Sequence, residues 1–379
     1  MRILLLSAYD ADSHRRWRKG LVAAFPNYQW TVLALPARYF SWRVRGNSLS
    51  WAYSDRATLE ADYDVLIATS MVDLSALRGM VPKLSAIPTL VYFHENQFSY
   101  PKSRHQFSSV EPQILNLYTA LCADSVVFNS DYNRDSFLLG VSDLMVKLPD
   151  HVPSGIVDQL SEKSSVLPVP LESGCFDFLD QCLSPHQPIT WRDRDLNKAS
   201  RPLRIVWAAR FEYDKGGDRL LLILNALKQQ GVAFELALLG QSFRHSPAEF
   251  QQIAEQFNDE LVQFGYEPSL ARFRLYLSQA DVVLSTAIHE FQGLAVLEAV
   301  AAGCVPVVPA RLAYAGMYPS RYQYHSEEKD LAAEASAAVN KIVELWCAMQ
   351  QGENLAHDVS DYYWSAQKTH YQAIINGLI

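Results

Sequence analysis

Two glutamates eight residues apart are the first positions in this sequence whose type and spacing indicate chemistry. Glu290 follows a short apolar run, which predicts a buried parallel strand. Gln292, Gly293 and Leu294 then begin a predicted helix, and Glu298 lies about two turns into it. Free N–H groups at a helix start suit a phosphate, and carboxylates so spaced can contact opposite ends of a sugar nucleotide. The alternative is a pair of solvated glutamates on an ordinary helix.

Two cations stand near the end of another predicted strand. Arg210 follows the apolar run 203–208, and Lys215 comes where the next helix is predicted to begin. Two fixed cations could neutralise a diphosphate as negative charge grows on it during bond cleavage. Gly240 ends the following strand, where the absence of a side chain lets the backbone approach a nucleotide. Tyr266 follows the strand after that and could edge a base.

Such side chains need a scaffold that brings strand ends together. Short apolar segments alternate with helical spacing in both halves of the chain, which predicts an α/β protein with two Rossmann-like, doubly wound domains facing a central cleft. Ligands of such sheets bind at the carboxyl ends of the strands. The predicted divisions are an N-terminal domain at 1–170, a connection at 171–200, a nucleotide-sugar domain at 201–355, and a C-terminal helix at 356–379 that packs back on the first domain.

Composition narrows the class of protein. The 379 residues are 49% hydrophobic and 20% charged, which is typical of a soluble globular protein. No stretch approaches the roughly 20 apolar residues of a membrane span. The five cysteines are scattered without CxxC spacing, so neither a disulfide framework nor a zinc site is indicated, which favours the cytoplasm. Net charge is −8, yet positions 1–50 hold eight basic and two acidic residues, which indicates a local polyanion-binding surface.

Basic and aromatic residues are interleaved in the segment 36–45, which is predicted to form a loop. Guanidinium groups for phosphates and aromatic rings for unstacked bases suit an RNA loop. The alternative is a solubilising rim. The candidate RNA contacts in and after this segment are Arg38, Trp42, Arg43, Arg45, Lys102 and Arg104.

The motifs of both halves resemble a known family. Arg210 with Lys215, and Glu290 with Glu298, are similar to the donor domain of glycosyltransferase family 4, whose members are retaining, metal-independent enzymes of the GT-B fold. In the first half the blocks YFHENQFSYP at 92–101, VFNS at 127–130 and LPDH at 148–151 resemble the tRNA-queuosine mannosyltransferases. This resemblance covers about residues 1–325.

The resemblance implies a reaction and roles for individual residues. The donor would be GDP-mannose, and the acceptor queuosine at the wobble position of a tRNA, tRNA-Asp first among them, with no metal or other cofactor and no membrane. Glu298 would hold the ribose, and Arg210 and Lys215 the diphosphate, helped by backbone N–H groups. Glu290 would contact the mannose hydroxyls, and His94 would lie across the cleft near the anomeric carbon. The remaining donor contacts would be Gly240, Tyr266, Gln292, Gly293 and Leu294. The acceptor contacts would be His14, Asn96, Gln97, Asn129 and Ser130 together with the six candidate RNA contacts.

Two positions admit a simpler interpretation. His94 at a strand end could be a core histidine, although the polar Glu95-Asn96-Gln97 that follows favours function. The pair Asp10 and Asp12 has the spacing of the metal-binding Asp-x-Asp of the other glycosyltransferase fold, but it follows the first strand of a doubly wound sheet and is interpreted as loop and helix cap.

Two other functions remain open from the sequence. One is a family-4 enzyme acting on a lipid-linked or small glycan acceptor, which predicts an amphipathic, basic helix facing a membrane, with residues 15–19 as a candidate. The other is a non-catalytic nucleotide-sugar or RNA-binding protein on the same scaffold. The combination of Arg210, Lys215, Glu290 and Glu298 argues against it, since the fold alone does not require all four.

Overall fold

The computed structural model describes residues 1–100, 110–172, 191, 201–243 and 245–379. The chain divides into two compact units. The first unit comprises Met1–Glu172 and Tyr362–Ile379, and the second comprises Ser173–Asp361. Each unit contains one six-stranded sheet whose strand pairs are all parallel, as expected for an α/β protein. Lys102, Arg104 and nearly all of the predicted connection 171–200 lie outside the described residues.

The first unit has strand order β2-β1-β3-β4-β5-β6. Its strands are β1 (Arg2–Asp10), β2 (Gln29–Pro36), β3 (Val65–Thr69), β4 (Thr89–Phe93), β5 (Ser125–Phe128) and β6 (Ser164–Val166). Its helices are α1 (Asp12–Ala24), α2 (Phe40–Ser54), α3 (Arg56–Leu59), α4 (Leu74–Met80), α5 (Glu111–Leu121), α6 (Asp131–Lys147) and α7 (Ile156–Glu162), with a 3₁₀ turn at Pro82–Ala86. Strands β3 and β4 are buried along their whole length because helices cover both faces.

The second unit has strand order β12-β11-β10-β7-β8-β9. Its strands are β7 (Leu203–Ala208), β8 (Phe234–Leu239), β9 (Leu261–Gly265), β10 (Val282–Leu284), β11 (Val305–Pro309) and β12 (Gln323–Tyr324). Its helices are α8 (Gly217–Gln229), α9 (Ala248–Gln256), α10 (Leu270–Gln279), α11 (Leu294–Ala301), α12 (Tyr314–Met317) and α13 (Leu331–Gln350). Single 3₁₀ turns are formed by Tyr213–Lys215 and Ser320–Tyr322, and a further one, Ser360–Tyr362, spans the boundary between the two units.

The C-terminal helix α14 (Trp364–Asn376) belongs to the first unit. The indole of Trp17 donates a hydrogen bond to the Tyr371 hydroxyl at 3.1 Å, and that hydroxyl lies 2.9 Å from the carbonyl oxygen of Pro168. Gly20 makes room for the Trp364 indole, which would collide with any side chain there. The helix therefore completes the core beside α1.

Two local predictions were wrong. The segment 36–45 is not a loop throughout, because α2 begins at Phe40. Val44 and Trp51 are buried on its inner face, and this helical spacing was hidden by the neighbouring arginines. Asp12 is not a helix cap: the N-cap of α1 is Ala11, without a side-chain hydrogen bond. Asp12 pairs with Arg15 instead, within the first turn.

Candidate active site

A topological switch point lies at the centre of the second sheet. Strand β7 pairs with β8 on one side and with β10 on the other. The strand order therefore reverses here: β8 and β9 extend the sheet in one direction, and β10, β11 and β12 extend it in the other. Open α/β sheets bind ligands outside the carboxyl ends of their strands at such a point. A small cavity of about 20 Å³ lies there. It is lined by residues that follow these two strands and by the start of α11, among them Ala209, Lys215, Thr286, Glu290 and Gly293.

An ion pair between Lys215 and Glu290 forms part of the cavity lining. Lys215 Nζ lies 3.1 Å from Glu290 Oε2 and 3.3 Å from Asp214 Oδ2, and it donates to the carbonyl oxygen of His289 at 2.9 Å. Burial acts to lower the pKa of Lys215, but the two carboxylates outweigh it, so the pKa is raised. Burial acts to raise the pKa of Glu290, but Lys215 outweighs it and the pKa is lowered. Both groups are therefore charged at neutral pH.

Close packing of the backbone holds this lysine in place. Gly216 has φ 71°, and a Cβ there would collide with the carbonyl oxygen of Thr286. The Thr286 hydroxyl donates to the Lys215 carbonyl at 2.8 Å and accepts from the Trp207 indole at 2.9 Å. Only glycine fits at 216, because it tolerates both the left-handed conformation and the contact. The sequence pattern alone did not reveal Thr286 or Trp207.

The start of α11 faces the same cavity. Gly293 is its N-cap, with φ 74°, and its backbone N–H donates to the Glu290 carboxylate. A Cβ at Gly293 would lie within 3.1 Å of the Tyr314 ring, whose buried hydroxyl is 3.0 Å from the Ser285 hydroxyl. Leu294 is the first helical residue. The predicted helix start is therefore where the sequence placed it, next to Glu290.

Glu298 and Gln292 are buried residues of the same segment. Glu298 Oε1 lies 3.6 Å from Nε of Arg274, which α10 supplies. The sequence pattern did not single out Arg274, which shares its helix with a second arginine, Arg272. The oxygens of a carboxylate can accept hydrogen bonds from hydroxyl groups.

The other predicted donor residues lie after neighbouring strands. Arg210 follows β7, is half exposed and lies 3.0 Å from Glu212. A Cβ on Gly240 would collide with the carbonyl oxygen of Ala209, so this glycine serves a contact within the chain in addition to any contact with a ligand. Tyr266, after β9, is largely exposed.

A buried network that the sequence did not reveal supports the Glu290 loop. Arg311 Nε donates to the carbonyl oxygen of Ala287 at 3.0 Å, and its two terminal nitrogens donate to Glu334 at 2.7 and 2.9 Å. Arg219 Nε donates to the same carboxylate at 3.0 Å. From the other side, the carbonyl oxygen of Asp214 accepts from the N–H groups of residues 288 and 289. The loop is therefore fixed by both flanks.

Acid is expected to destabilise this network. Burial acts to raise the pKa of Glu334, but Arg311 and Arg219 outweigh it and the pKa lies below its ordinary value of 4.5. A carboxyl whose pKa is lowered on folding contributes stability above its unfolded pKa, and that stability is lost as pH falls through the folded pKa. Chemical-denaturation midpoints measured from pH 7 down to pH 3 should therefore fall below about pH 5. Glu334→Gln should flatten the decline, whereas Glu353→Gln, at an exposed ion pair, should leave it unchanged.

Two histidines meet at the carboxyl edge of the first sheet. His94 follows β4 and His14 lies in α1, and their ring centroids are 4.0 Å apart. Trp17 and Tyr92 enclose His94, and both nitrogens of this buried ring lack a hydrogen-bond partner among the described residues. Burial, and then His14, hold the pKa of His94 well below 6.5, so the imidazole is neutral at pH 7. His14 Nε2 lies 3.4 Å from Glu95.

A network of amide side chains shapes the loop that follows His94. Asn129 donates to the carbonyl oxygen of His94 at 2.8 Å. Asn96 is fully buried; it donates to Asn133 and accepts from two N–H groups of its own loop. Ser130 caps α6 by accepting from the N–H of Asn133 at 3.1 Å. The backbone N–H of Gln97 donates to Asn116. Asn96, Asn129 and Ser130 thus have structural contacts here, and their predicted contacts with the acceptor stay predictions.

More of the basic residues in the first unit form ion pairs with acidic side chains than the sequence suggested. Ion pairs join Arg2 to Asp64, Arg15 to Asp12, Arg16 to Glu172, Arg18 to Asp10, and Arg45 to Asp73 and Glu111. Arg43 is buried and donates to the carbonyl oxygen of Pro36 at 3.4 Å. Arg38 and Trp42 are exposed. Asp10 and Asp12 therefore pair with different arginines, and among the described residues no three His, Cys, Asp or Glu side chains form a metal-binding group.

Comparisons with known proteins define the class. Residues 190–359 match the family model of glycosyl transferases group 1. The fold matches sucrose-phosphate synthase from Thermosynechococcus elongatus with a TM-score of 0.69 at 15% identity, covering 100% of this chain and 99% of that one. The protein is a glycosyltransferase of the GT-B fold.

Two further matches identify the family, one to the first unit and one that spans most of the chain. Residues 2–171 match the model of the tRNA-queuosine alpha-mannosyltransferase N-terminal domain. The chain is 31% identical over 324 residues to the tRNA-queuosine alpha-mannosyltransferase of Drosophila melanogaster, covering 86% of this chain and 83% of the relative. It belongs to the tRNA-queuosine alpha-mannosyltransferase family.

A second relative matches a shorter segment. The GDP-mannose:cellobiosyl-diphosphopolyprenol alpha-mannosyltransferase of Xanthomonas oryzae is 26% identical over 105 residues, which is 27% of this chain and 28% of that protein. In the part of the chain that the structure describes, no helix has both the length and the apolar character needed to cross a bilayer.

Proposed function

We propose that this protein transfers mannose from GDP-mannose to queuosine at the wobble position of a tRNA, with retention of the anomeric configuration. The observation that carries the proposal is the Lys215–Glu290 ion pair beside the cavity at the switch point of a GT-B donor domain. The names of two relatives support these substrates, because one name includes tRNA-queuosine and the other includes GDP-mannose. We propose that the reaction takes place in the cytoplasm, where tRNA is available as the acceptor.

The donor diphosphate is held by cations and by the start of α11. Lys215 is already charged inside the site, and Arg210 is exposed enough to turn towards a ligand. The positive end of α11, whose first helical residue is Leu294, adds to this charge. These groups supply the charge that a divalent metal would otherwise bring, so transfer should persist in EDTA.

The two glutamates hold the sugars of the donor. Glu290 is ionised and lies at the cavity, so it can accept hydrogen bonds from mannose hydroxyls. Glu298 is buried in helix α11 and accepts hydrogen bonds from the ribose hydroxyls. Tyr266, exposed after β9, edges the guanine base. Of these positions, Glu290 is the one nearest to the lysine that binds the leaving group.

The chemical step exchanges one bond at the anomeric carbon for another. The bond from that carbon to the phosphate oxygen breaks, and a bond to a queuosine hydroxyl oxygen forms on the same face. The hydroxyl proton passes to the departing phosphate oxygen, so that GDP leaves without help from an acidic side chain. Arg210 and Lys215 stabilise the negative charge that develops on the diphosphate. Glu290 therefore acts by positioning and electrostatics and forms no covalent intermediate.

His94 offers a hydrogen bond to a substrate hydroxyl. Its two ring nitrogens are buried and without a partner among the described residues, which is costly unless a ligand supplies one. A neutral imidazole has one donor and one acceptor, the pair that a hydroxyl group satisfies.

The experiment incubates the purified protein with GDP-mannose and queuosine-containing tRNA and measures the mass of the released nucleosides. A gain of one hexose on queuosine is expected, with no gain when the same tRNA carries guanosine at that position. UDP-glucose, UDP-galactose and GDP-fucose serve as donor controls.

A lipid-linked acceptor is the competing outcome. Transfer to a polyprenyl-diphosphate glycan and not to tRNA would contradict the proposal. The structure weighs against a membrane-facing α1, because Arg15, Arg16 and Arg18 are all engaged in ion pairs within the first unit.

A further inference from the structure

The side chain of Trp42 lies flat on its own helix. It stands on the outer face of α2 with 51% of its surface exposed. A Cβ on Gly46, one turn later, would fall within 2.6 Å of three consecutive ring atoms, Cδ2, Cε2 and Cζ2. Similar distances to three bonded ring atoms put that point over the face of the indole, because a point at the rim would be much closer to one or two of them. One face of the ring therefore covers Gly46, and the other faces solvent.

Gly46 is an unfavourable residue in the middle of a helix. Alanine would stabilise the helix intrinsically, but its methyl group would occupy the space that the indole fills. The glycine is thus matched to the position of the ring. Just before the helix, Tyr39 is exposed with φ 55°, an uncommon conformation for a large side chain, and the Arg38 guanidinium lies 5.6 Å from its ring centroid.

These side chains stand at the ligand-binding edge of the first sheet. Helix α2 follows β2, whose last residue, Pro36, pairs with Asp10 at the carboxyl end of β1. The rings of Tyr9 and Phe40 are in contact at 5.6 Å. The strands are parallel, so Trp42 lies at the same edge as His14 and His94.

We propose that the exposed face of Trp42 stacks on an unpaired base of the tRNA acceptor, with Arg38 and Tyr39 beside it; this rests on the proposed function. Flat aromatic rings next to guanidinium groups are how proteins hold unstacked bases. A membrane-binding helix would instead show a continuous apolar face bordered by many cations. The outer face of α2 also carries Ser41, Arg45, Leu49 and Tyr53, and the single cation among them, Arg45, is engaged by Asp73 and Glu111.

The test measures binding of queuosine-containing tRNA, independently of sugar transfer. Trp42→Leu keeps an apolar side chain but removes the ring, and should raise the Kd for tRNA by about 5- to 100-fold, the range expected for one stacked base. Trp42→Phe should lose much less. The slope of log Kd against log salt should be the same for all three proteins, because no phosphate contact is removed. The Kd for GDP-mannose should not change.

A glycine pair supplies the matched control. Gly46→Ala should weaken tRNA binding by displacing the indole, whereas Gly79→Ala in α4, where an added Cβ meets nothing within 4 Å, should not. Thermal unfolding of each variant shows whether it remains folded. Unchanged tRNA binding by folded Trp42→Leu would overturn the inference. The inference would also be overturned if Trp42→Leu bound tRNA as wild type does but lost binding to anionic phospholipid vesicles. Wild-type protein that binds tRNA through Trp42 but transfers no mannose would overturn the proposed function alone.

Discussion

Replacing Lys215 with methionine is expected to lower kcat for sugar transfer by about 10²- to 10³-fold, the usual loss when one preorganised charge at a transition state is removed. The Nζ atom lies 3.1 Å from Glu290 and 3.3 Å from Asp214, so the cation is fixed before substrate arrives. Methionine has a similar shape and no charge. Initial rates at saturating GDP-mannose and tRNA measure the effect.

The same substitution leaves two carboxylates without their cation, so stability must be measured beside activity. The double variant Lys215→Met with Glu290→Gln should recover part of the lost unfolding temperature, because the unpaired charge is removed, without recovering the rate. Lys228→Met in the same unit is the matched control and should behave as wild type, because the Lys228 side chain is 55% exposed although it pairs with Glu260. A rate in Lys215→Met within threefold of wild type would remove this lysine from the proposed mechanism.

Replacing Arg311 with alanine is expected to reduce the free energy of unfolding of the second unit by about 3–5 kcal/mol, the usual cost of breaking a buried ion pair. Arg311 is buried and donates to both oxygens of Glu334 and to the Ala287 carbonyl. Because Ala287 lies in the Glu290 loop, the affinity for GDP-mannose should fall as well. Urea denaturation and titration calorimetry measure the two effects.

An exposed arginine of the same unit provides the comparison. Arg321 pairs with Glu353 at the surface, with about half of each side chain in solvent, and Arg321→Ala should cost well under 1 kcal/mol. Equal losses in the two variants would show that the buried network does not support the loop. A loss of stability without a loss of GDP-mannose affinity would show that the network stabilises the second unit but does not position the donor site.

The strands were predictable because parallel strands covered on both faces read as short apolar runs. Strands β3, β4, β7 and β8 stand out in this way, and each is buried from end to end. Helix α2 was missed because its buried face includes the polar Arg43, Asn47 and Ser48, which interrupt the apolar spacing. Hydrophobic periodicity depends on apolar residues, so it does not indicate a helix whose buried face contains hydrogen-bonded polar side chains.

The candidate site was predictable only where it is local in sequence. Glu290, Gly293 and the start of α11 follow one another along the chain, so their spacing could be recognised. Arg311 and Glu334 meet across 23 positions, and nothing in the spacing of two distant charges indicates a pair. The same limit applies to Arg2, Arg16 and Arg45. Their acidic partners lie beyond the first 50 positions, at Asp64, Glu172, Asp73 and Glu111. Net charge counted along a segment therefore overstated the cations left for RNA.

The return of α14 to the first unit has a consequence for synthesis on the ribosome. The groove formed by Trp17, Gly20 and Tyr92 is filled by residues of α14, among them Trp364 and Tyr371. The nascent first unit must therefore keep an apolar surface uncovered while the whole of the second unit is translated. A shortened chain ending before Tyr362 would present that surface permanently, and chaperones and proteases act on such surfaces.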